Sequence, residues 1–126
     1  MRPQDFRCRH RLTVRWSEVD AQKIVFNAHY LMYADVAITD YWRQMAMPYA
    51  QSWAALGGEL FVKKAAVTYH ASAQMGDVLD IGIRCVKQGN TSLQFEAGIF
   101  RGQQLLNTVE LVYVFADAQQ QPQPVP

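Results

Sequence analysis

The segment from residue 28 to residue 47 constrains the fold more than any other part of this chain. Only Asp35, Asp40, Arg43 and a few neutral polar residues interrupt its apolar side chains, which cover almost every side of a helical wheel. The apolar positions are Tyr30, Leu31, Met32, Tyr33, Ala34, Val36, Ala37, Ile38, Tyr41, Trp42, Met45 and Ala46. A helix that is apolar nearly all round is buried nearly all round. The interruptions are too frequent for a bilayer span of roughly 20 apolar residues. The rest of the chain must therefore wrap around one central helix.

The remaining segments show the alternation typical of strands. Before the helix, His10, Leu12, Val14 and Trp16 alternate with polar residues, which predicts a strand over residues 9–16 with one buried face. Short turn signals separate the last three of the later segments, so these are expected to be antiparallel neighbours. The later strands are predicted over residues 59–72, 78–86, 92–100 and 105–116.

A second, short helix is predicted between the long helix and the next strand. Pro48 ends the long helix or starts the short one over residues 49–56, and Gly57 with Gly58 closes it. The element order is therefore strand, long helix, short helix and four strands. One antiparallel five-stranded sheet, curved around the long helix, satisfies this order, which places the chain in the α+β class.

The chain length fits one domain. With 126 residues there is little room for a second core. We expect residues 1–116 to form that domain. The segment 117–126 is rich in Gln and Pro, which predicts a flexible tail.

Charge and cysteine content exclude several functional classes. The net charge of +1 gives no basis for a nucleic-acid partner, and the charged fraction of 18% is low enough to suggest that some surface is buried in an oligomer. Cys8 and Cys85 are far apart and belong to no metal-binding motif, so two reduced thiols and no metal site are expected. The polar, basic N-terminus is not a signal peptide, and no stretch is long enough to span a membrane. We therefore expect a cytoplasmic protein.

The loop between the first strand and the long helix carries the chemically informative pattern. Its acidic residue, Asp20, lies seven residues before Asn27, which is far enough for the loop to fold back towards the start of the helix. The first N–H groups of a helix have no partner inside it and carry the positive end of its dipole. They can hold the oxyanion that develops when a carbonyl group is attacked. A carboxylate facing such donors suits attack on a carbonyl carbon by water or by the carboxylate itself.

The same loop resembles the 4-hydroxybenzoyl-CoA thioesterase family of hotdog-fold proteins. The family signature is an acidic residue, a few residues that often include Gly, an apolar pair, an aromatic residue or Asn, and N-x-x-Y-L at the start of the helix. The matching residues are Asp20, Ile24, Val25, Phe26, Asn27, Tyr30 and Leu31. The resemblance continues through Asp35, Tyr69, the Gly76-Asp77 turn and Asp117, so it covers nearly the whole chain. The chain departs from the family at Lys23, where many relatives have Gly.

The resemblance implies an acyl-CoA thioesterase with a hotdog fold and no cofactor. Asp20 would act as general base on water or as nucleophile through a mixed anhydride, and the sequence leaves both routes open. The resemblance places the oxyanion donor at the Asn27 backbone N–H, which is compatible with an N-cap role for the Asn27 side chain. It also implies a homodimer or homotetramer with the active site at the subunit interface.

Several further residues are expected to contact the acyl-CoA substrate. Asp35 interrupts the apolar helix and could face the pocket, and Lys63 could meet the phosphates of CoA. Asn90, Thr91 and Ser92 resemble the region that contacts phosphate or pantetheine in the family. The full set is Phe26, His29, Tyr30, Asp35, Lys63, Asn90, Thr91 and Ser92.

Two other functions fit the same sequence. The chain could act on acyl-carrier-protein thioesters, for example by releasing a chain in a biosynthetic pathway. It could also be a non-catalytic module that binds acyl groups or a protein. Rates of hydrolysis of the same acyl group on CoA and on carrier protein distinguish the first alternative from an acyl-CoA thioesterase. Ligand binding without turnover identifies the second alternative.

Overall fold

The fold consists of one long helix and five strands. The computed structural model describes residues 1–44 and 56–125. Its strands are β1 (Cys8–Thr13), β2 (Glu59–Tyr69), β3 (Val78–Gln88), β4 (Ser92–Arg101) and β5 (Gln104–Ala116), and its helix is α1 (His29–Gln44). Short 3₁₀ turns cover Pro3–Asp5 and Trp16–Glu18. The short helix predicted over residues 49–56 falls almost wholly outside the described residues.

The five strands form one antiparallel sheet in the order β1-β3-β4-β5-β2. The prediction that β3, β4 and β5 are antiparallel neighbours is confirmed. The short β3–β4 and β4–β5 connections allow only hairpins. β1 pairs with β3 and β2 pairs with β5, so β1 and β2 form the two edges of the sheet.

The core lies between α1 and one face of the sheet. Alternate residues of the central strands point towards the helix, as with Leu79, Ile81 and Ile83 of β3, and all three are buried. From the helix side, Tyr33, Ala34 and several neighbours fill the same space. The buried helix residues are Tyr30, Tyr33, Ala34, Ala37, Ile38 and Trp42.

The prediction of a helix buried nearly all round is wrong for the single chain. Met32 and Val36 lie one helical turn apart and are 38% and 44% exposed, and Asp35 and Thr39 are exposed as well. One sheet can cover only one side of a helix. The remaining apolar side of α1 therefore stays on the surface of the monomer.

Two side chains differ from the predicted strand faces. β1 ends at Thr13 and the chain turns into a 3₁₀ turn, so Trp16 is 78% exposed rather than buried. Cys85 is exposed because the β3–β4 register shifts between Cys85 and Lys87, which ends the alternation of β3.

The segment after β5 folds back onto the domain. The Asp117 carboxylate accepts hydrogen bonds from the backbone N–H groups of Gln119 and Gln121, and the Val125 N–H donates to the Asn90 carbonyl at 2.7 Å. Val125 also packs against the core. Flexibility of this tail stays a prediction, and these are the contacts that would have to open for the tail to move.

Candidate functional site

The loop between β1 and α1 is a tight reversal stabilised by backbone hydrogen bonds. The Asp20 N–H donates to the Ile24 carbonyl and the Lys23 N–H donates to the Asp20 carbonyl, both at 2.9 Å. Val19 and Val25 pair across the reversal as an antiparallel bridge. The loop is fixed to the segment before β3 as well, because the Val25 N–H donates to the Ala73 carbonyl. Asp20 therefore has a defined position despite its place in a loop.

Asp20 is half-buried and lines an open pocket of about 460 Å³. Its Oδ1 accepts a hydrogen bond from the Gln22 N–H at 2.8 Å, which is an Asx turn. Within the described residues its Oδ2 accepts no hydrogen bond, so that oxygen is available to a water or a substrate. The other lining residues are Trp16, Ser17, Val19, Lys23 and Met75.

Lys23 adopts the left-handed backbone conformation, with φ of +66°. A side chain in this conformation costs roughly 1–2 kcal/mol compared with the right-handed region, whereas Gly adopts it readily. This is the position at which many proteins of the resembled family have Gly. The loop turns here nonetheless, and the Lys23 side chain becomes part of the wall of the Asp20 pocket.

Glu18 is a buried acid that sequence reasoning missed. It is 3% exposed, and its carboxylate accepts hydrogen bonds from the Arg15 N–H, the Arg15 guanidinium and the Tyr33 hydroxyl. Although burial alone raises the pKa of Glu18, the hydrogen bonds from Arg15 and Tyr33 hold it below its usual value. Burial and the neighbouring carboxylate raise the pKa of Tyr33. This cluster joins the loop, two residues before Asp20, to the second turn of α1.

The start of α1 is fixed by two tyrosines. The Tyr69 hydroxyl donates to the Asn27 carbonyl at 3.1 Å, and the Tyr30 hydroxyl accepts from the Ala73 N–H at 3.0 Å. The two rings meet edge to face, with centroids 5.8 Å apart. The structure therefore brings the predicted Asn27 and Tyr30 together under the end of β2.

The Asn27 N–H donates to no acceptor within the described residues. The His29 N–H, two residues further along the chain, already donates to the Phe26 carbonyl at 2.9 Å. The Phe26 and His29 rings also contact each other, with centroids 5.9 Å apart. An unsatisfied N–H just before a helix is suited to hold an anion. Asn27 is, however, not among the described lining residues of the Asp20 pocket.

The remaining predicted residues lie elsewhere in the single chain. Asp35 accepts a hydrogen bond from the Tyr113 hydroxyl at 3.4 Å and lines a separate cavity of about 220 Å³ beside β2. Lys63 is exposed on β2. The turn with Asn90, Thr91 and Ser92 bonds to β5 and the tail, where the Phe115 N–H donates to the Thr91 carbonyl at 2.8 Å.

The turn at residues 90–92 and the Asp20 loop lie at opposite ends of the sheet. β3 begins beside the loop, since the Val14 N–H donates to the Asp77 carbonyl just before it, and its 11 residues lead to the turn at its other end. A strand of that length spans roughly 30 Å. The predicted site residues of one chain therefore form two separate groups rather than one cluster.

Two classes of feature are absent from the part of the chain that the structure describes. No group of three or more His, Cys, Asp or Glu side chains lies close enough to hold a metal ion. Within residues 1–44 and 56–125, no helix is long and apolar enough to cross a membrane.

Comparison with known proteins places this geometry in a protein family. Residues 14–126 match the family model of the thioesterase-like superfamily. No curated protein matches the sequence.

Solved structures show the same fold. A thioesterase complexed with coenzyme A and Zn from Thermus thermophilus has a TM-score of 0.82 and 26% identity, over 96% of this chain and 92% of that one. A probable thioesterase from Bartonella henselae has a TM-score of 0.86 at 20% identity, over 94% and 98% of the two chains. A 1,4-dihydroxy-2-naphthoyl-CoA thioesterase from Synechocystis has a TM-score of 0.85 at 16% identity, over 94% and 88%. The five-stranded sheet and its helix thus form a hotdog fold.

Proposed function

Because the chain belongs to the thioesterase-like superfamily and is a thioester hydrolase, we propose that it cleaves acyl-CoA thioesters to the free acid and CoA. The similar structures include a thioesterase with bound coenzyme A and a thioesterase for an aromatic acyl-CoA. The observation that carries the proposal is the Asp20 carboxylate, which is held by a fixed loop at an open pocket with one oxygen unpartnered among the described residues.

Asp20 supplies the first chemical step of the proposed reaction. As a general base, it takes a proton from water while the water oxygen attacks the thioester carbonyl carbon, and the tetrahedral intermediate then collapses as the C–S bond breaks and the CoA thiolate leaves with a proton. As a nucleophile, it attacks that carbon itself, releases the CoA thiolate and forms a mixed anhydride that water then hydrolyses. Either route needs an ionised carboxylate with a free oxygen, which contacts the attacking water in the first route and the carbonyl carbon in the second. The Asx turn holds Asp20 through its other oxygen, so the chain is consistent with both routes.

The oxyanion of the tetrahedral intermediate would be held by the Asn27 backbone N–H. This donor is unpartnered among the described residues and precedes a helix of 16 residues. The positive end of the helix dipole adds to its effect. Removal of one such donor typically lowers kcat by about a hundredfold or more. Tyr69 contributes by holding the carbonyl of the same residue, which fixes the orientation of the loop before the helix.

Assembly into dimers or tetramers would complete the site. β2 is an edge strand of 11 residues, and most of its side chains are exposed in the single chain. An exposed edge of this length readily pairs with another strand. Because the Asp20 loop and the turn at residues 90–92 are at opposite ends of the sheet, one chain does not bring them together around a single acyl-CoA molecule. We therefore place the active site between subunits, with Lys63 and residues 90–92 near the CoA portion.

The proposed activity is tested with the purified full-length chain and a panel of acyl-CoAs, by measurement of thiol release. Hydrolysis of at least one acyl-CoA above the uncatalysed rate is expected. The same acyl group on acyl carrier protein serves as the comparison substrate. A higher kcat/KM with the carrier-protein thioester would identify acyl carrier protein, rather than CoA, as the carrier in the substrate. Binding of acyl-CoA without any thiol release would contradict the hydrolase activity.

A further inference from the structure

Large apolar side chains form part of the rim of the Asp20 pocket. Trp16 is 78% exposed and Met75 is 57% exposed, and both line the pocket. Val19 adds a third apolar side chain to the wall. Large apolar side chains grouped on a surface commonly mark a binding site. An indole ring also offers a flat contact surface at low cost in conformational entropy. The rim suits an apolar ligand group better than it suits bulk water.

Lys23 brings a positive charge into the same pocket. The ammonium groups of Lys23, Lys63 and Lys87 make no ion pair or hydrogen bond within the described residues, and of these three only Lys23 lines the Asp20 pocket. Its backbone is held in the left-handed conformation by the bond from its N–H to the Asp20 carbonyl. Strained backbone that the surrounding structure maintains is most common at functional sites. The fold thus keeps a long cationic side chain at a position better suited to Gly.

The position of Lys23 limits which part of an acyl-CoA it can meet. Its Cα is fixed close to Asp20 by the 2.9 Å backbone hydrogen bond, so its ammonium stays within one side chain of the reacting carboxylate. The phosphates of CoA are separated from the thioester carbonyl by the whole pantetheine arm. With the thioester carbonyl at Asp20, a cation at Lys23 is placed to meet the acyl group rather than the phosphates. An anion in the acyl group would otherwise be repelled by Asp20, and Lys23 offsets that repulsion.

We propose that Lys23 selects acyl groups that carry a carboxylate or another anionic oxygen beyond an apolar body, which packs on Trp16 and Met75. This inference rests on the proposed function, because it assumes that Asp20 acts on the thioester carbonyl. Lys23 is then the residue that sets specificity. Its ammonium group provides an anion-binding site that a Gly at the same position would lack. The apolar body lies between the reacting carbonyl and the anionic group.

Matched pairs of acyl-CoAs test this selection. Each pair has the same shape and differs in one terminal group: hexanoyl-CoA with adipoyl-CoA, and para-toluoyl-CoA with terephthaloyl-CoA. The measured quantity is the ratio of kcat/KM for the anionic member to kcat/KM for the neutral member. The unmodified chain is expected to prefer the anionic member of at least one pair. Charge-assisted hydrogen bonds make a preference of about tenfold or more reasonable.

Three variants show whether Lys23 is responsible. Lys23→Met keeps the length of the side chain without its charge, and Lys23→Gly removes the charge while fitting the left-handed backbone. Both are expected to lower the ratio by about tenfold. Lys23→Arg keeps the charge and should retain the preference. Lys87→Met, on the exposed end of β3, is the matched control and should leave the ratio unchanged.

The outcomes separate this inference from the proposed function. Hydrolysis of all four acyl-CoAs with a ratio that does not respond to Lys23→Met or Lys23→Gly would overturn the selection by Lys23 alone. An equal fall in kcat/KM for both members of each pair in these two variants would also overturn the selection, because Lys23 would then assist the reaction of every substrate. If no acyl-CoA in any panel is hydrolysed, the proposed function itself fails.

Discussion

At the scale of single residues, Glu18 accepts four hydrogen bonds although its side chain is almost fully buried. A buried carboxylate is stable only when it is paired and hydrogen-bonded. Arg15 provides the charge and Tyr33 provides a donor from α1. Glu18 is thus a positioning residue for the loop that carries Asp20, since it ties that loop to the helix.

Replacement of Glu18 by Gln should destabilise the protein. The substitution removes the charge that faces Arg15 and turns an amide towards its donors, so we expect a loss of about 2 kcal/mol in the free energy of unfolding. Urea denaturation measures it. Glu59→Gln, at the exposed start of β2, is the control and should change the free energy by less than about 0.5 kcal/mol. Equal values for both variants would refute the structural role of Glu18.

The same residue should shape the dependence of stability on pH. Because the pKa of Glu18 is lowered in the folded state, its contribution is present above its unfolded pKa of about 4.3. That contribution is lost as the pH falls through the folded-state pKa. The free energy of unfolding should therefore fall more steeply at acid pH in the unmodified chain than in Glu18→Gln. Parallel curves below pH of about 4.3 would contradict this expectation.

Lys23→Gly should stabilise the fold even though it removes a side chain. Relief of the left-handed backbone outweighs the greater entropy of Gly in the unfolded chain, with a net gain of about 0.5–1 kcal/mol in the free energy of unfolding. Ala21→Gly, in the same turn, is the control and should give no gain, because the described backbone places no left-handed conformation there. A loss of stability in Lys23→Gly would show that the Lys23 side chain stabilises the loop.

The sequence allowed some of these residues to be predicted and not others. Asp20 and Asn27 stand in a motif with fixed spacing, so they could be named as candidates, and their catalytic roles stay predictions. Glu18 could not be identified, because its partner Tyr33 is 15 residues away and comes near only when α1 packs on the sheet. The pocket wall formed by Met75 was equally hidden, since it depends on the pairing of the loop with residues 73–74.

At the scale of elements, the two edges of the sheet and the outer side of α1 are the surfaces that one chain leaves open. Short turns were enough to predict the neighbours β3, β4 and β5. Periodicity did not predict which strands form the edges, because β1 and β2 reach their partners only after long excursions of the chain. Periodicity also placed Trp16 in a strand, because the alternation of apolar and polar residues continues past Thr13. The pairing of β1 with β3 ends at Thr13.

A charge on the β2 edge should prevent assembly. Val62 is 56% exposed in the single chain, and Val62→Lys would place a charge where the proposed contact between subunits removes water. We expect the unmodified chain to sediment as a dimer or tetramer and the variant to shift towards the monomer with reduced thioesterase activity. Val86→Lys, on a 44% exposed residue of β3, is the control. Unchanged assembly in Val62→Lys would exclude β2 as the interface.

At the scale of the whole molecule, the hotdog fold places the start of α1 beside a short loop, and that loop carries Asp20. The Asx turn, the backbone reversal and the Glu18 cluster all fix that loop. The Asn27 N–H, unpartnered among the described residues, lies just before the helix. The two groups of predicted site residues are separated by the length of β3, and this separation is the basis for the proposal that a second subunit completes the site.

The central claim is that Asp20 drives thioester hydrolysis, and Asp20→Asn tests it most directly. Asn can accept the same hydrogen bond from the Gln22 N–H, so the loop should keep its conformation while the carboxylate is lost. Asp5→Asn, in the N-terminal 3₁₀ turn, is the matched control. With the acyl-CoA that the unmodified chain hydrolyses fastest, we predict that kcat/KM falls by about a hundredfold to ten-thousandfold in Asp20→Asn and is unchanged in Asp5→Asn. An unchanged kcat/KM in Asp20→Asn would contradict the account.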